Sequence, residues 1–354
     1  MNDEISIAPP AKMINETELF MKYKSSYTSA FIDFSVHAFI MCSSFYSLWY
    51  FRNSWLSGFT IPLVSFMNGR TFVVFHDCGH NSYTPNKTLN YILGNILGVC
   101  VFTPFCWNWH HGNHHLTSGN TTNNLNHKYN ETIYHNLQQY KQWNWLKKTM
   151  YKTMRHPIVF FTLVPVLYLG IKQRTDVLRY KLSKKHPFTQ STIQIVFETV
   201  FSNAFIACFC FCLVKYEIYL HYCVCMFVFS FLLLFAFHNQ HTYNPSYVIT
   251  NGKWTKRDSG LLGSSYLLYP NWFKYFIMGI EYHHIHHMNA KIPGYNLQDY
   301  HDEVVSKSNM FDNVVKLSMT DCYNNLWLVL YDEDKKRYIT FAEADEEIRK
   351  DKDM

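Results

Sequence analysis

Charged residues are scarce in this chain of 354 residues. Asp, Glu, Lys and Arg make up 16% of it, whereas hydrophobic residues make up 48% and aromatic residues 18%. Such a composition is typical of a membrane protein with a sizeable polar cap. The net charge of +6 is modest and lies in several loops, as is usual for the flanks of membrane spans. It does not indicate a nucleic-acid partner.

Several common site motifs are absent as well. No two Cys-x-x-Cys motifs occur together, so the ten cysteines do not indicate a zinc site, and five of them lie inside apolar runs, which argues against a disulfide framework. The chain has no glycine-rich phosphate loop and no dinucleotide fingerprint, so nucleotide-dependent chemistry is not indicated. Residues 1–28 lack the apolar core and cleavage site of a signal peptide, and we expect a cytosolic arm there.

Histidine, in contrast, is abundant, and eight of the 19 histidines fall into three clusters with helical spacing. The clusters are His76 with His80, His111 with His114 and His115, and His283 with His286 and His287. On a helix, rings at i, i+3 and i+4 leave one face together, and we expect each cluster to converge on one point. Clustered imidazoles are typical metal ligands, so the sequence predicts a metal centre.

Long apolar runs predict an all-α membrane protein with four transmembrane helices, at residues 34–51, 55–75, 192–214 and 218–237. Four spans place all the histidine clusters on one side of the membrane, which we take to be the cytosolic side. Two further apolar runs, at residues 89–105 and 157–171, are predicted to be re-entrant or interfacial helices. A fifth span would put the third cluster on the wrong side of the membrane from the first two.

Smaller features complete the prediction for the fold. Arg70 lies in the last turns of the second predicted span, and we expect it to snorkel to the surface rather than pair with Asp77. Residues 326–341 alternate apolar and polar and predict a hairpin, followed by a frayed charged tail. The expected domains are a cytosolic arm (1–28), a membrane domain (29–305) and a cytosolic C-terminal extension of the cap (306–354).

The motifs around the clusters resemble those of the membrane fatty acyl desaturases, specifically the Δ12-like acyl-lipid branch that introduces a second double bond. The resemblance covers roughly residues 25–342. It includes Arg70, Gly-His-Asn-Ser-Tyr at 79–83, Leu-Thr-Ser-Gly-Asn at 116–120, and the segments 258–266 and 289–295 on either side of the third cluster. A bare His-x-x-His-His motif also occurs in hydroxylases, whereas this extended set is far more specific.

The resemblance implies two irons held by histidines on the cytosolic face, and an acyl chain in a tunnel between the transmembrane helices. The family pattern also has a histidine after a glutamine, between the last span and the third cluster. Gln240-His241 fits that position, although His238 could compete for the role. The implied catalytic and metal-binding residues are therefore His76, His80, His111, His114, His115, His241, His283, His286 and His287. His110 and His284 depart from the pattern as doubled histidines and are expected to support the site or the fold.

The implied reaction removes two hydrogens from adjacent carbons of a long acyl chain, with O2 as co-substrate and two electrons supplied from outside. Neutral imidazoles suit Fe2+, whereas zinc fits the same ligands but performs no O2 redox chemistry. A fused haem domain of about 90 residues is not visible, so a separate cytochrome b5-like or ferredoxin-like donor is expected by analogy. The basic segments 147–155 and 172–185 could dock an acidic donor, but contact with lipid headgroups is the preferred interpretation.

Two other functions fit the same motifs. A membrane hydroxylase could use the same two irons, and a lipid-binding relative could carry inactive clusters, although every expected position is a histidine. The sequence leaves open the position of the double bond, the chain length, and whether the acyl group is carried on a lipid or on coenzyme A. Lys350 and Lys352 resemble a dilysine retrieval signal and predict the endoplasmic reticulum membrane.

Overall fold

The structure is a computed structural model that describes residues 14–121, 135–175, 192–249 and 252–353. Two predictions fall partly outside the described residues. These are the expected arm, at residues 1–13, and the basic segment 172–185, at residues 176–185. What is described is mainly helical, as predicted.

The elements follow one another in three stretches of chain. Residues 14–121 form α1 (Glu16–Tyr23), α2 (Tyr27–Tyr50), α3 (Ser57–Gly79), α4 (Lys87–Cys100) and α5 (Trp107–Thr117). Residues 135–249 form α6 (Leu137–Gln142), α7 (Trp145–Arg155), α8 (Pro157–Leu167) with a π-helical continuation (Tyr168–Lys172), α9 (Thr192–Lys215) and α10 (Tyr219–His241). Residues 252–353 form α11 (Lys256–Gly263), β1 (Tyr266–Leu267), α12 (Asn271–Ile277), α13 (His283–Met288), α14 (Gly294–Lys307), β2 (Lys316–Leu317), α15 (Met319–Asn325), β3 (Leu330–Asp332), β4 (Arg337–Ile339) and α16 (Phe341–Asp353).

Four helices of the described chain are long and apolar enough to cross a membrane. They are Tyr27–Tyr50, Pro157–Thr175, Ile193–Lys215 and Tyr219–His241. Three of them overlap predicted spans along nearly the whole predicted length, but the predicted span at 55–75 is not among the four. It forms the larger part of α3, which carries Arg70 and Asp77 and packs among α2, α4 and α10, with most of its C-terminal half buried. The number of helices able to cross a membrane therefore agrees with the predicted number of spans, while the set differs.

The segment predicted at 157–171 is longer than its apolar run suggests. The helix continues through the π-helical turn and the polar residues after it to Thr175, which gives 19 residues. At about 1.5 Å per residue this is about 28 Å, close to the thickness of a bilayer core. The helix is therefore long enough to cross a bilayer core, because the polar residues extend it beyond the apolar run. Whether it dips, lies flat or crosses stays a prediction.

Helix α4 agrees with the predicted re-entrant segment. Its 14 residues span only about 21 Å. The hydroxyl of Tyr222, near the start of α10, donates to the carbonyl oxygen of Cys100 at the end of α4 (2.5 Å). His241, at the other end of α10, is about 28 Å from Tyr222 along the axis. The chain therefore descends along α4, turns at Phe102 (φ 53°), and returns to the level of the histidines.

Arg70 does not snorkel, so that prediction is wrong, and its partner is not Asp77. It is 4% exposed and forms an ion pair with Asp33 of α2. Its guanidinium also donates to the carbonyl oxygen of Tyr275 and lies over the Tyr275 ring. The second oxygen of Asp33 accepts from the hydroxyl of Tyr83 (2.9 Å). A buried cation needs a partner, and here α2 supplies it, which links α2, α3 and α12 just below the first cluster.

The C-terminal hairpin is confirmed, and the frayed tail is not. Strand β3 pairs antiparallel with β4, with Tyr331 opposite Tyr338. The following residues form α16, because Thr340 and Glu343 cap its first turn with reciprocal hydrogen bonds of 2.8 and 3.2 Å. Ala344 then packs with α6 and the hairpin in one apolar cluster. This charged segment therefore forms a helix, because one of its faces packs on the apolar cluster of α6 and the hairpin.

Candidate metal centre

Nine histidine rings converge where the C-terminal ends of α3 and α10 meet α5 and α13. They are the nine implied by the family resemblance, and they form two groups; within each group the possible ligand atoms all lie within 4.8 Å of one another. The five-histidine group consists of His76, His80, His111, His115 and His286. The four-histidine group consists of His114, His241, His283 and His287.

Each histidine triplet is divided between the two groups, so the expectation that a triplet converges on one point is wrong. Helix α5 places His111 and His115 in the five-histidine group and His114 in the other. Helix α13 does the reverse with its own triplet. The reason is the helical step of about 100° per residue: positions i and i+4 differ by about 40°, whereas i+3 and i+4 differ by about 100°. A triplet can therefore serve two neighbouring centres.

The spacing of the rings fits metal coordination. In both groups the neighbouring Nε2 atoms are 2.8–3.1 Å apart, in the pairs His76–His111, His111–His115, His115–His286, His114–His241, His241–His283 and His283–His287. Two nitrogens at right angles around a metal, each about 2.1 Å from it, would be about 3.0 Å apart. Several Nε2 atoms face two others at once, and a neutral ring has only one proton to share. A cation among them would satisfy all of these nitrogens.

Burial keeps the rings in the form that binds metal. It lowers the pKa values of His111, His115, His283, His286 and His287 well below the ordinary value, and the charges of neighbouring histidines lower them further. The rings are therefore neutral at neutral pH. Metal binding then requires no proton to leave them.

Two of the nine grouped rings, those of His76 and His241, are oriented through their Nδ1 atoms. His76 Nδ1 donates to Asp77 Oδ1 (3.1 Å), and Asp77 Oδ2 accepts from the backbone N–H of Gly294 (2.6 Å). His241 Nδ1 donates to the carbonyl oxygen of Gly263 (3.2 Å). Each contact holds the tautomer that leaves Nε2 free for a metal. This role of Asp77 was not predicted, although its position directly after His76 is a signal that the sequence carries.

The three remaining candidate histidines belong to neither group. His238 Nε2 donates to the carbonyl oxygen of Asn325 (2.9 Å), so the structure brings His241 rather than His238 into the centre. His284 is fully buried with its ring against Phe311, at a centroid distance of 4.6 Å. His110 lies on α5 between the ligand positions and outside both groups.

The motif at 258–266 packs the ligand helices together. Ser259 Oγ donates to the carbonyl oxygen of Ser118, which follows α5, at 2.8 Å. A Cβ on Gly260 would lie 2.9 Å from Met288 of α13, so glycine permits this close approach. Ser265 binds the end of α10 twice, through N–H to the Gln240 carbonyl oxygen (3.1 Å) and through Oγ to the preceding carbonyl (3.0 Å). These contacts explain why the segment accompanies the histidines.

The fold and the two histidine groups define a mainly helical protein that has four helices able to cross a membrane and two histidine groups able to bind metal. A model of the fatty acid desaturase family matches residues 53–313, which is 261 of the 354 residues. The chain belongs to the fatty acid desaturase family. Since O2-dependent di-iron chemistry is general to this family, the chain is an oxidoreductase.

Three relatives illustrate the range of similarity. A fatty acid desaturase of Bacillus subtilis is 27% identical over 274 residues, which cover 77% of this chain and 74% of the relative. An sn-1 oleoyl-lipid 12-desaturase of Anabaena variabilis is 23% identical over 71% of this chain and 65% of its own length. An sn-1 acyl-lipid omega-3 desaturase (ferredoxin) of Synechocystis is 30% identical over 35% of each chain.

Proposed function

We propose that this chain inserts a cis double bond into a long acyl chain and that its nine grouped histidines hold two irons. The observation that carries the proposal is the pair of adjacent groups, in which Nε2 atoms lie 2.8–3.1 Å apart and to which none of the described residues adds a carboxylate or thiolate. Bound iron would supply an oxidant derived from O2 that can break an unactivated C–H bond.

The protein contributes position and protection rather than a proton-transferring side chain of unusual pKa. Asp77 and the Gly263 carbonyl hold two ligand rings in one orientation. Eight of the nine histidines are buried, which excludes bulk water from the reacting groups. The acyl chain would reach the histidine groups through a tunnel between the apolar helices. The bends of that tunnel would select the two carbons that react.

We propose a monounsaturated acyl-lipid as the substrate, with the new double bond at a Δ12-like position. Support comes from the relatives described as oleoyl-lipid 12-desaturases in Anabaena variabilis and Synechocystis, which match 71% and 65% of this chain. The omega-3 desaturases match shorter parts, such as 35% for the Synechocystis enzyme. A coenzyme A ester has no such support and is the alternative carrier.

The electron donor is proposed to be ferredoxin-like. Several relatives carry ferredoxin in their descriptions, among them the omega-3 desaturases of Synechocystis and of sunflower chloroplasts. A cytochrome b5-like donor is the alternative. We further propose an integral membrane protein with its histidine groups on the cytosolic side. The endoplasmic reticulum, predicted from Lys350 and Lys352, is the less supported membrane, since the relatives that match the largest share of the chain are bacterial.

Expression in a host of known fatty acid composition tests the proposal. We expect new acyl chains two mass units lighter than their precursor, with the new double bond at one position. A hydroxylase would instead add sixteen mass units. The matched control is His283→Ala, which should make no product. New product of equal yield from that variant would contradict the assigned ligands.

A further inference from the structure

His80 is the least covered of the nine grouped histidines. The other eight are at most 6% exposed, whereas His80 lies just after the end of α3 and is partly exposed. Its ring contacts four members of the five-histidine group, with centroid distances of 4.6–5.1 Å to His76, His111, His115 and His286. His80 is therefore the grouped histidine with the largest exposed fraction, and the exposed Asn81 follows it, while its own Nε2 atom is buried with the rest of the group.

Two lysines lie on this side of the group: Lys291 contacts His80 directly, and Lys87 lies near Lys291. Lys291 Nζ donates to the carbonyl oxygen of His80 at 2.5 Å. Partial burial lowers the pKa of Lys291, and the positive charge of nearby Lys87 lowers it further, so the two cations lie close together. Both are exposed, and neither forms an ion pair with a residue that the structure describes. We call His80, Asn81, Lys87 and Lys291 the His80 face.

The basic helix α7, the other candidate for binding an acidic partner, has most of its charges engaged. Lys152 pairs with Asp345 of α16 at 2.6 Å, and Lys148 donates to the carbonyl oxygen of Lys141 at 3.1 Å. Lys147 lies over the Trp143 ring, 4.1 Å from its centroid. The opposite face of α7 exposes large apolar side chains, including Trp145 at 76%. This helix fits a lipid surface better than an acidic protein.

We propose that an acidic, soluble one-electron carrier docks on the His80 face and that electrons enter the metal centre there. The inference rests on the proposed function, which needs two external electrons.

A saturated –CH2–CH2– unit, O2, two electrons and two protons yield –CH=CH– and two waters. Two reduced carriers each give up one electron, the protons come from solvent, and the other two electrons come from the broken C–H bonds. Exposed lysines that form no ion pair with a described residue, next to the least covered of the grouped histidines, suit such a carrier, because opposite charge speeds and orients its approach.

Charge reversal at Lys87 tests the site. Lys87 is suitable because none of the described residues pairs with it or accepts a hydrogen bond from it. For Lys87→Glu we expect KM for a reduced plant-type ferredoxin to rise about 10-fold at low salt, with kcat little changed, while Lys87→Arg behaves like the wild type. Raising the ionic strength from about 0.01 M to about 0.15 M shortens the Debye length from about 30 Å to about 8 Å, and should reduce the difference. The matched control is Lys147→Glu on α7, which should leave KM for ferredoxin unchanged.

A second arm separates docking from chemistry. Dithionite replaces ferredoxin in a single turnover, and the product yield of Lys87→Glu should equal that of the wild type. A loss in this arm would place the effect at the metal centre and overturn the docking site. Three results for the KM for ferredoxin would also overturn the docking site. They are a larger rise in Lys147→Glu than in Lys87→Glu, equal rises in the two variants, and no change in either variant. Absence of desaturated product from the dithionite-reduced wild type would instead overturn the proposed function itself.

Discussion

The two histidine groups share helices α5 and α13 but differ in size. Helix α5 gives two rings to the five-histidine group and one to the four-histidine group, and α13 gives one and two. The difference comes from the remaining helices, since α3 supplies His76 and His80 whereas α10 supplies only His241. A metal held by four histidines has one fewer protein ligand and is more open to small ligands. Two centres built from one pattern can thus differ through a single residue.

The largest expected effect is the loss of the one ring that α10 contributes. In His241→Ala the four-histidine group would keep three ligands, so we expect bound iron to fall from about two to about one per chain and product formation to fall by at least about 100-fold. Iron analysis of the purified protein and mass spectrometry of the host fatty acids measure the two quantities.

The control for this variant is His238→Ala, one helical turn earlier on α10. His238 is equally buried but donates to the Asn325 carbonyl oxygen instead of facing the groups. It should retain both irons. An equal loss of iron from both variants would mean that any change at the end of α10 disrupts the centre, and the assignment of His241 would lose its support.

Chelation should separate the two groups in the wild type. The four-histidine group has fewer ligands, so we expect its iron to leave at least about 10 times faster than the other, in two resolved phases. His80→Ala reduces the larger group to four ligands, and its two irons should then leave at similar rates. Iron release followed against time with a coloured chelator gives the phases. A single phase in the wild type would show that ligand number does not set the order of release.

The orienting contacts also differ, since His76 donates to a carboxylate and His241 to a backbone carbonyl. In Asp77→Asn the amide has one oxygen to serve both His76 and the Gly294 N–H, so one of these donors loses its partner. We expect iron affinity to fall by about 10-fold to 100-fold. The matched control is Asp302→Asn, because Asp302 binds His301 Nδ1 at the same 3.1 Å outside both groups. Unchanged iron affinity in Asp77→Asn, measured by competition with a chelator, would contradict an orienting role.

Much of this site could be predicted from the sequence, because its ligands are local patterns. Helical spacing identified eight of the rings, and the motif around Gln240 identified His241. The division of each triplet was not predicted, because spacing gives the angle between rings but not the number of centres that surround a helix. The Gly263 carbonyl was missed for a different reason: a backbone acceptor leaves no trace in residue type.

The fold shows the same limit. Apolar runs located three of the helices that are long enough to cross a membrane. Helix α3 is different, because it carries a buried ion pair and several polar residues. Its average hydropathy therefore does not reveal that it packs at the centre of the helices. Its partner Asp33 lies 37 residues away from Arg70 in the chain, and no local pattern connects the two. Helix α16 was missed because its stability depends on packing against α6 and the β3–β4 hairpin, which come together only in the folded chain.

The smallest expected effect concerns His284, which sits among the ligands of α13 but points away from both groups. Its two ring nitrogens are buried and have no hydrogen-bond partner among the described residues, and its ring packs against Phe311. A buried polar group without a partner costs about 1–3 kcal/mol. Replacing it with Phe, or with the smaller Leu if the larger ring does not fit, should therefore stabilise the protein by about 1 kcal/mol and leave iron content unchanged. Thermal unfolding in detergent, with iron analysis, measures both. If both variants unfold at lower temperature or lose iron, then the ring nitrogens of His284 serve the centre after all, and the contrast between it and its neighbours on α13 disappears.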